Sequence, residues 1–516
     1  VFQSTAQRTF NKRLGFSCGP NILSSVEVTD SCYYVAGWAR DSAFGCQVSL
    51  LWAKIDRQGN VLNHTLHSEP ITITESWQPT LHTDVDGNLI IGADMIDTVI
   101  ERALILKWDT DGNVLWKKKH VNLFPVLDTF VFPNVLDSLT RTDDFIIAPD
   151  SSYILAGATY NGWQLTHFNR DWSIRWVRYT DCKWNFCFEH SILKEDDGFV
   201  VGYYNGDANV TPINRTMRCI LEKYDYAGNL LWTWANDSSQ LINGVNHLIK
   251  TKDGGYLLGT ADGLEIPDFG GGTSRMAFDC LVFKLDSARN MLWQRPLRAN
   301  SYSVSARVER LIELEDSTIM AFAITPDTFW SVSENRWRYQ YNLLVAHISP
   351  DGDSLWSNQY YYFNEQSYAS HFIYDVERTF DSGYLCVGEA KGTDGQGGAY
   401  QQGWLLKLDS MGCLVPGCRG RVMNTVEQLD EPEANLLLYP NPVTDYLSVH
   451  FTYPIQGKRL TWRIINAQGQ VVQEHQSPAT SNQTYIFETT GLFAGWYTLQ
   501  VVQDGVPSGR EAFIKQ

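Results

Sequence analysis

Residues 104–116 read LILKWDTDGNVLW, and this pattern decides the fold. Apolar and polar residues alternate on both sides of a short turn that contains Gly and Asn, which is typical of a β-hairpin. Close copies occur at residues 50–62, LLWAKIDRQGNVL, and at residues 219–232, CILEKYDYAGNLLW. Because an isolated hairpin cannot bury its apolar faces, a repeated hairpin implies that the copies pack against one another.

Four weaker copies keep the same frame, so the unit occurs seven times. They end at Trp176, Trp293, Trp356 and Leu414. The position that holds lysine in the best copies falls at residues 54, 107, 167, 223, 284, 347 and 407. These positions span 353 residues over six intervals, which is about 59 residues per repeat.

Each copy is preceded by two further short strands. The nearer strand appears in stretches such as GYLLG at residues 255–259, and the farther one in apolar runs such as residues 245–249. Four-stranded units that repeat around an axis form a β-propeller. The sequence therefore predicts an all-β protein with a seven-bladed β-propeller at residues 1–420, whose blades each contain four strands, A to D.

The two ends of the repeat region predict how the ring closes. The seventh copy stops at residues 412–416, GCLVP, without an outer strand. An unassigned strand, FQSTAQRTF, lies at residues 2–10, before the first blade. Since a ring must hide its edge strands, we expect this N-terminal strand to complete blade seven.

Strand parity predicts which face of the ring binds a ligand. The short A–B and C–D turns share one face, so the B–C and D–A connections emerge on the other. Long B–C loops are expected at residues 203–217, 261–277, 325–341 and 390–402. Aromatic side chains on such loops suit stacking against sugars, although packing beneath the loops is the alternative. The candidate ligand-face residues are Phe269, Trp330, Trp337, Tyr339 and Tyr400.

Charge and composition narrow the range of partners. The chain has 41 Lys and Arg residues against 58 Asp and Glu residues, so the net charge is 41 − 58 = −17. This charge argues against nucleic acid as a partner. No window approaches the ~18 continuous apolar residues of a transmembrane segment. The DTDGN turn at residues 109–113 resembles a calcium loop but lacks the later bidentate acid, so neither a metal nor a cofactor is expected.

Ten cysteines occur, and two close pairs predict disulfides. Cys182 and Cys187 flank the turn-like stretch KWNF, and Cys413 and Cys418 flank LVPG. Disulfides persist in oxidising compartments, so these pairs favour an exported protein. The pairing of the other six cysteines remains open.

The end of the chain breaks the repeat. Residues 421–434, RVMNTVEQLDEPEA, are polar and acidic, and we interpret them as a linker. Residues 435–516 restart an alternating pattern without any copy of the blade unit. This alternation predicts a small immunoglobulin-like β-sandwich.

Four motifs in this segment point to a known family. They are Tyr439-Pro440-Asn441-Pro442, the stretch NAQGQVV that contains Gly469, the pair Gly495 and Tyr497 around a tryptophan, and the basic end Lys515. In this order they resemble the type A C-terminal sorting domain of type IX secretion cargo in Bacteroidota. The resemblance implies export through the periplasm and the outer membrane to the cell surface or beyond. It also implies that residues 435–516 contact the outer-membrane translocon and its cargo shuttle.

The sequence contains no recognisable catalytic constellation. We therefore favour a secreted, cell-surface propeller that binds a glycan or a protein over an enzyme. A glycoside hydrolase or lyase is an alternative, and it requires two carboxylates that face each other in the central pocket. A structural subunit of a larger surface assembly is the other alternative.

Overall fold

The computed structural model describes most of the chain, and all structural statements concern those residues. They are 8–16, 18–68, 72–73, 79–97, 100–120, 144–159, 162–181, 191–206, 217–236, 242–266, 275–297, 306–331, 336–363, 369–393, 399–415, 436–451, 459–466, 471–478, 484–503 and 506–516. The chain divides into two compact units, Val1–Asn424 and Thr425–Gln516.

The first unit consists of antiparallel β-sheets that follow the order A-B-C-D along the chain. Blade 1 contains β2 (Asn21–Val28), β3 (Cys32–Asp41), β4 (Gln47–Asp56) and β5 (Val61–His67), with a 3₁₀ turn at Ser42–Phe44. Blade 2 contains β7 (Thr80–Thr83), β8 (Leu89–Asp97), β9 (Ile100–Trp108) and β10 (Val114–His120), and β6 (Thr72–Ile73) also pairs with β8. Blade 3 contains β11 (Asp144–Ile147), β12 (Tyr153–Thr159), β13 (Gly162–Phe168) and β14 (Ile174–Asp181).

The remaining blades repeat this arrangement. Blade 4 contains β15 (Ser191–Glu195), β16 (Gly198–Gly206), β17 (Met217–Tyr224) and β18 (Leu230–Ala235). Blade 5 contains β19 (Ile242–Lys250), β20 (Tyr256–Ile266), β21 (Arg275–Leu285) and β22 (Met291–Pro296). Blade 6 contains β23 (Arg307–Glu313), β24 (Ile319–Ser331), β25 (Arg336–Ile348) and β26 (Ser354–Tyr360). Blade 7 contains β27 (Ser370–Arg378), β28 (Tyr384–Thr393), β29 (Ala399–Leu408) and the N-terminal strand β1 (Phe10–Leu14).

The repeated turn between strands C and D is stabilised by its own aspartate. In blade 2 the Asp109 carboxylate accepts the backbone N–H groups of Asp111 and Asn113, each at 2.9 Å. Gly112 in this turn has a φ of 89°, a conformation that glycine adopts without strain. A Cβ atom there would lie 2.5 Å from the Trp52 ring of the preceding blade. The glycine therefore allows an indole of one blade to pack on the turn of the next.

The repeated lysine of strand C holds the A–B turn of its own blade. Lys223 Nζ lies 2.6 Å from Glu195 Oε2 and 2.7 Å from Asp197 Oδ1. The same contact joins Lys107 to Asp84, Lys284 to Asp253 and Lys407 to Asp381. In blades 3 and 6 a histidine takes this position. His167 contacts Ser152, and His347 contacts Thr318. In six of the seven blades the repeated position thus contacts the A–B turn of its own blade, whereas Lys54 of blade 1 contacts Asp111 of blade 2.

The ring closes through the N-terminal strand. Each A strand contacts the A strand of the next blade, and β27 of blade 7 contacts β2 of blade 1. Strand β1 pairs antiparallel with β29, from Phe10 opposite Lys407 to Leu14 opposite Gly403. The prediction that an N-terminal strand completes blade seven is confirmed. The pairing strand begins at Phe10, the residue at which the expected strand ended.

The second unit is a β-sandwich, as the sequence predicts. One sheet contains β30 (Leu436–Tyr439), β31 (Tyr446–Phe451) and β34 (Thr484–Glu488). The other contains β32 (Arg459–Asn466), β33 (Val471–Pro478), β35 (Gly495–Gln503) and β36 (Val506–Lys515). Alternate residues of both sheets form the core, among them Leu447, Val449, Trp462, Leu499 and Phe513.

Replacing Asn11 with alanine tests the ring closure. The buried Trp404 indole N–H donates to Asn11 Oδ1 at 2.6 Å. Because N11A leaves this indole without a partner, we expect the free energy of unfolding to fall by about 1–3 kcal/mol in urea denaturation of the full chain. K12A on the same strand removes an exposed contact with Asn60 and a distant one with the Phe10 ring, so it should change stability by about 0.5 kcal/mol or less. Equal effects of the two variants would contradict this account of the closure.

Candidate functional site

A cavity of about 580 Å³ lies among the inner strands of all seven blades. It is lined by residues from β2, β7, β11, β15, β19, β23 and β27. These A strands are edge strands, so alternate backbone N–H groups have no partner within their own sheet. The cavity, called the central channel below, is therefore bordered by backbone groups that need partners from elsewhere.

Side chains of one blade supply partners to the inner strand of the next. The acceptor is an oxygen or a ring nitrogen from an A strand, and the donor is a backbone N–H that faces the channel. Four such bonds join Val26 N to Asp375 Oδ2 (2.9 Å), Leu81 N to Ser25 Oγ (3.1 Å), Ile192 N to Asp144 Oδ2 (3.4 Å) and Leu311 N to His247 Nδ1 (3.1 Å). The same side chains that line the channel thus bind neighbouring blades together.

Asp375 is the best connected of these side chains. Its Oδ2 accepts hydrogen bonds from the Ser25 hydroxyl at 3.0 Å and from the Val26 N–H. Its Oδ1 accepts bonds from Arg310 Nε and from the Val376 N–H, both at 2.8 Å. Burial alone would raise the pKa of Asp375, but Arg310 and these donors hold it below its usual value. Asp375 is therefore an ionised carboxylate that joins blades 6, 7 and 1.

Other ionisable groups of the channel also occur in pairs. Arg307 Nε lies 2.7 Å from Glu309 Oε1, and His82 Nε2 lies 3.5 Å from Asp144 Oδ1. Burial would lower the pKa of His82, but the carboxylates of Asp144 and other nearby acids raise it. Burial and the Arg310 charge lower the pKa of His247 to about 3, which leaves its Nδ1 free to accept the Leu311 N–H.

Glu27 and Glu377 differ from these pairs. They are the second-to-last residues of β2 and β27, near the A–B turns. Glu27 accepts the N–H and the hydroxyl of Thr83, at 3.0 and 3.1 Å, and burial raises its pKa. The side chain of Glu377 makes no hydrogen bond or ion pair with any described residue. Although water reaches Glu377 through the channel, enclosure by protein and the charges of Asp375 and Glu27 raise its pKa to about 8.

The expected long B–C loops of blades 5 and 6 are largely β-structure, which corrects the sequence interpretation. In blade 6, β24 and β25 pair from Ile319 opposite Ile348 to Ser331 opposite Arg336. The A strand pairs only as far as Ile324, and the D strand only as far as Leu343. The rungs beyond these points form a two-stranded extension. The stretch RWRYQY at residues 336–341 alternates aromatic and polar residues, which favours a strand over a loop.

The predicted ligand-face residues fall into three groups. Trp330 lies opposite Trp337 in the blade 6 extension, and Tyr339 lies opposite Thr328 two rungs away. By the two-residue alternation of strands, these three positions share one face of the ladder. Tyr400 lies in β29 opposite Gly392, in blade 7. Phe269 lies outside the described residues.

The cysteines form a disulfide that the sequence did not indicate. Cys18 and Cys46 are bonded, with a sequence separation of 28 and 6.0 Å between their Cα atoms. No short turn separates these two cysteines, so spacing gave no indication of the pair. Cys413 is also in a disulfide, but its partner and the residues Cys182, Cys187 and Cys418 lie outside the described part. The pairs Cys182–Cys187 and Cys413–Cys418 therefore stay predictions.

The sorting motifs meet at the last strand of the second unit. Asn441 Oδ1 accepts the Ile514 N–H at 2.9 Å, and the adjacent Val443 forms a bridge with Lys515. Gly495 lies opposite Lys515 in the ladder between β35 and β36. Pro440 and Pro442 are exposed, Tyr439 ends β30, and Gly469 lies outside the described residues.

Tyr497, another motif residue, is 8% exposed. Its hydroxyl donates to the Phe493 carbonyl at 2.9 Å, and its ring stacks on Phe513 with 5.6 Å between centroids. Three separate motifs thus hold the C-terminal strand in place.

Replacing Asp375 with asparagine tests the joint between blades 6, 7 and 1. Because D375N leaves Arg310 without its anion, we expect the free energy of unfolding to fall by about 3 kcal/mol at pH 7. A carboxylate whose pKa is lower in the folded state stabilises the fold above its ordinary pKa of about 4, and the effect disappears as the pH falls below that value. The difference between wild type and D375N should therefore shrink from pH 7 to pH 3.

Urea denaturation of the full chain at a series of pH values measures this difference. D351N, at an exposed turn aspartate, is the matched control and should follow the wild type throughout. A D375N variant that unfolds like D351N at pH 7 would show that the carboxylate does not hold the blades together.

Comparison with known proteins identifies the second unit. Residues 437–515 match the model of the secretion system C-terminal sorting domain family. No curated protein matches the chain in sequence.

Several solved structures resemble the chain at low identity. Polysaccharide lyase Uly1 is 9% identical, with 80% of this chain and 95% of that chain covered and a TM-score of 0.43. A protein of unknown function from Dyadobacter fermentans is 10% identical, with 78% and 99% covered and a TM-score of 0.40. A protein of unknown function from Bacteroides caccae is 11% identical, with 66% and 94% covered and a TM-score of 0.31. These similarities carry no argument about activity.

Among the described residues, no helix is long and apolar enough to cross a membrane. The sorting family has its matched segment where the four sequence motifs lie, and residues of three of those motifs meet at one strand of a β-sandwich. The chain is a seven-bladed β-propeller cargo of the type IX secretion system, exported to the cell surface or the extracellular space by its C-terminal sorting domain.

Proposed function

We propose that the exported propeller is a binding protein that takes a glycan or a protein ligand on the face where its B–C connections emerge. This face is called the hairpin face below. The observation that carries the proposal is the β24–β25 extension of blade 6, where three of the five candidate aromatic residues occupy one face of a regular ladder. A paired ladder presents aromatic residues at fixed spacing, as stacking against sugar rings or a partner surface requires.

Blade 5 supports the same interpretation. Strands β20 and β21 pair from Tyr256 opposite Leu285 to Ile266 opposite Arg275, and the A strand pairs only as far as Asp262. The B–C connections of two neighbouring blades thus extend beyond their blades in the same direction. Two adjacent extensions form a rigid border for a ligand surface, which lowers the conformational cost of binding.

A glycoside hydrolase or lyase is a second candidate, and one observation favours it. Asp375 and Glu377 face the same channel, and their environments push their pKa values in opposite directions. An ionised carboxylate beside a protonated one is the combination that general acid and base chemistry uses. Against this candidate, Asp375 makes four contacts, three of them with neighbouring blades, so its oxygens are engaged. A structural subunit of a surface assembly remains the other alternative, tested by co-purification of a stable partner.

We further propose that residues 1–420 form the propeller, that residues 421–434 are the linker, and that residues 435–516 contact the translocon and its cargo shuttle. The convergence of three motifs on β36 supports this assignment. A folded C-terminal strand would then be the element that the export machinery recognises.

The double variant W330A/W337A tests the hairpin face. Probed as the full chain on an array of bacterial, plant and host oligosaccharides, the wild type should bind a defined group of glycans. Because each stacked aromatic ring contributes about 1 kcal/mol, the double variant should bind them roughly thirtyfold more weakly. L230S, at an exposed D-strand position, is the matched control and should bind like the wild type.

The array also separates the alternatives. Hydrolysis or cleavage of a bound glycan would establish the enzyme instead, and E377Q should then abolish turnover. Unchanged binding by W330A/W337A would show that the ligand does not bind on the hairpin face.

Replacing Asn441 with alanine tests the sorting domain. N441A removes the acceptor of the Ile514 N–H, so we expect the C-terminal strand to lose about 1 kcal/mol of stability. In cells, immunoblots of periplasmic and surface fractions should show more cargo in the periplasm. T490A, which removes an exposed contact with Glu488 in the same domain, should be exported normally. Normal export of N441A would show that the translocon does not recognise the folded C-terminal strand.

A further inference from the structure

Exposed apolar side chains are concentrated at the start of the outer strands. In blades 1, 2, 4 and 5 the first two residues of strand D are both large and apolar, and each of these side chains is 37–59% exposed. The pairs are Val61-Leu62, Val114-Leu115, Leu230-Leu231 and Met291-Leu292. Blade 3 has Ile174 at the first of these positions, 41% exposed. Nine of the 17 exposed large apolar side chains described in the first unit thus occupy two repeated positions, so they belong to the repeat and are not scattered surface residues.

A β-bulge exposes both members of each pair. In blade 1, Val61 lies opposite Ile55 and Asn63 lies opposite Lys54, while Leu62 has no opposite residue. The ladders of blades 2, 4 and 5 shift register at the same point. In a regular strand two adjacent side chains point to opposite faces, whereas the extra residue of a bulge breaks this alternation. The repeat therefore keeps apolar pairs in contact with solvent.

Pairs from adjacent blades lie next to each other. Asn63, the residue after the first pair, donates from its side-chain N–H to the Asp111 carbonyl at 2.9 Å, in the turn that leads to the second pair. The Arg289 guanidinium, in the turn that leads to the fourth pair, lies 4.8 Å from the centroid of the Trp232 ring, which follows the third pair. The pairs of blades 1 and 2, and those of blades 4 and 5, are called the apolar strips below. Contiguous exposed apolar surface of this kind is typical of an interaction site.

The charge around the strips indicates the kind of partner. The strips lie on the face that carries the A–B and C–D turns, called the turn face below. The thirteen turns that join strands A to B and C to D contain 17 acidic and 4 basic residues, so their net charge is 4 − 17 = −13. Asp111, three residues before Val114, has a side chain that is 79% exposed. A second copy of this face or an anionic membrane would be repelled, whereas a basic surface would be attracted.

We propose that the turn face binds a protein whose surface presents aliphatic side chains beside lysine and arginine. The apolar strips pack against the aliphatic side chains of the partner, and the carboxylates of the turns pair with its basic residues. This site is separate from the hairpin face, because the turns lie at the opposite ends of the strands. It does not depend on the ligand proposed for that face.

Surface plasmon resonance of the full chain tests the proposal, with an immobilised synthetic peptide of alternating lysine and leucine as the probe. One matched peptide has serine in place of leucine, and another has glutamate in place of lysine. Because apolar and charged contacts both contribute, we expect each matched peptide to bind about tenfold or more weakly than the lysine–leucine peptide. Added salt should weaken the binding, since it screens charges at the surface.

A variant of the strips locates the site. L62S/L115S/L231S/L292S removes one leucine from each pair and should bind the lysine–leucine peptide about tenfold or more weakly. F44S, at a residue that is 57% exposed in the B–C connection of blade 1, is the matched control and should bind like the wild type. Because the substituted side chains are exposed, both variants should unfold at nearly the same temperature as the wild type.

The proposal is overturned by equal binding of the three peptides, by unchanged binding in the strip variant, or by an equal loss in F44S. Analytical ultracentrifugation and co-sedimentation with phosphatidylglycerol vesicles test the other occupants of the strips. We expect a monomer that does not sediment with the vesicles. A dimer, or vesicle binding, that the strip variant abolishes would show that a second copy or a membrane covers the strips instead.

Discussion

The edge of each inner strand is the constraint on which the rest of the propeller depends. Seven A strands border the central channel, and each exposes backbone N–H groups that no strand of its own blade can bond. Side chains from the neighbouring blade supply these bonds, and Asp375 supplies them to blade 1 while it also holds Arg310 of blade 6. The groups that close the ring are thus the same groups that give the channel its polar character.

Much of this fold follows from the sequence because the repeat records contacts within and between adjacent elements. The repeated lysine appears in the pattern since it holds a turn of its own blade, as Lys223 holds Glu195 and Asp197. The repeated glycine appears since a side chain there would collide with an indole, as at Gly112. Such local rules recur at a fixed spacing, so seven copies and the missing outer strand sufficed to predict the ring and its closure.

The site was less accessible from the sequence, and the reason is physical. Ser25, Asp375 and His247 have the same role in different blades but different chemistry, so no repeat pattern marks them. Cys18 precedes strand A of blade 1 and Cys46 lies in its B–C connection, so two strands separate them in sequence. The B–C connection of blade 6 has the length of a loop, but its alternating residues continue the ladder. Contacts between repeats depend on geometry that spacing alone does not record.

Glu377 is a position at which the requirements of a stable fold and those of a functional channel differ. Asp375, two residues earlier on the same strand, has a lowered pKa and stabilises the ring at neutral pH. Glu377 has a raised pKa and opposes folding at the same pH, although the charges of Arg310 and His82 offset part of the effect. A ring that only needed to close would be more stable with an uncharged residue at this position. Residues that weaken a fold and line a channel are typical of functional sites.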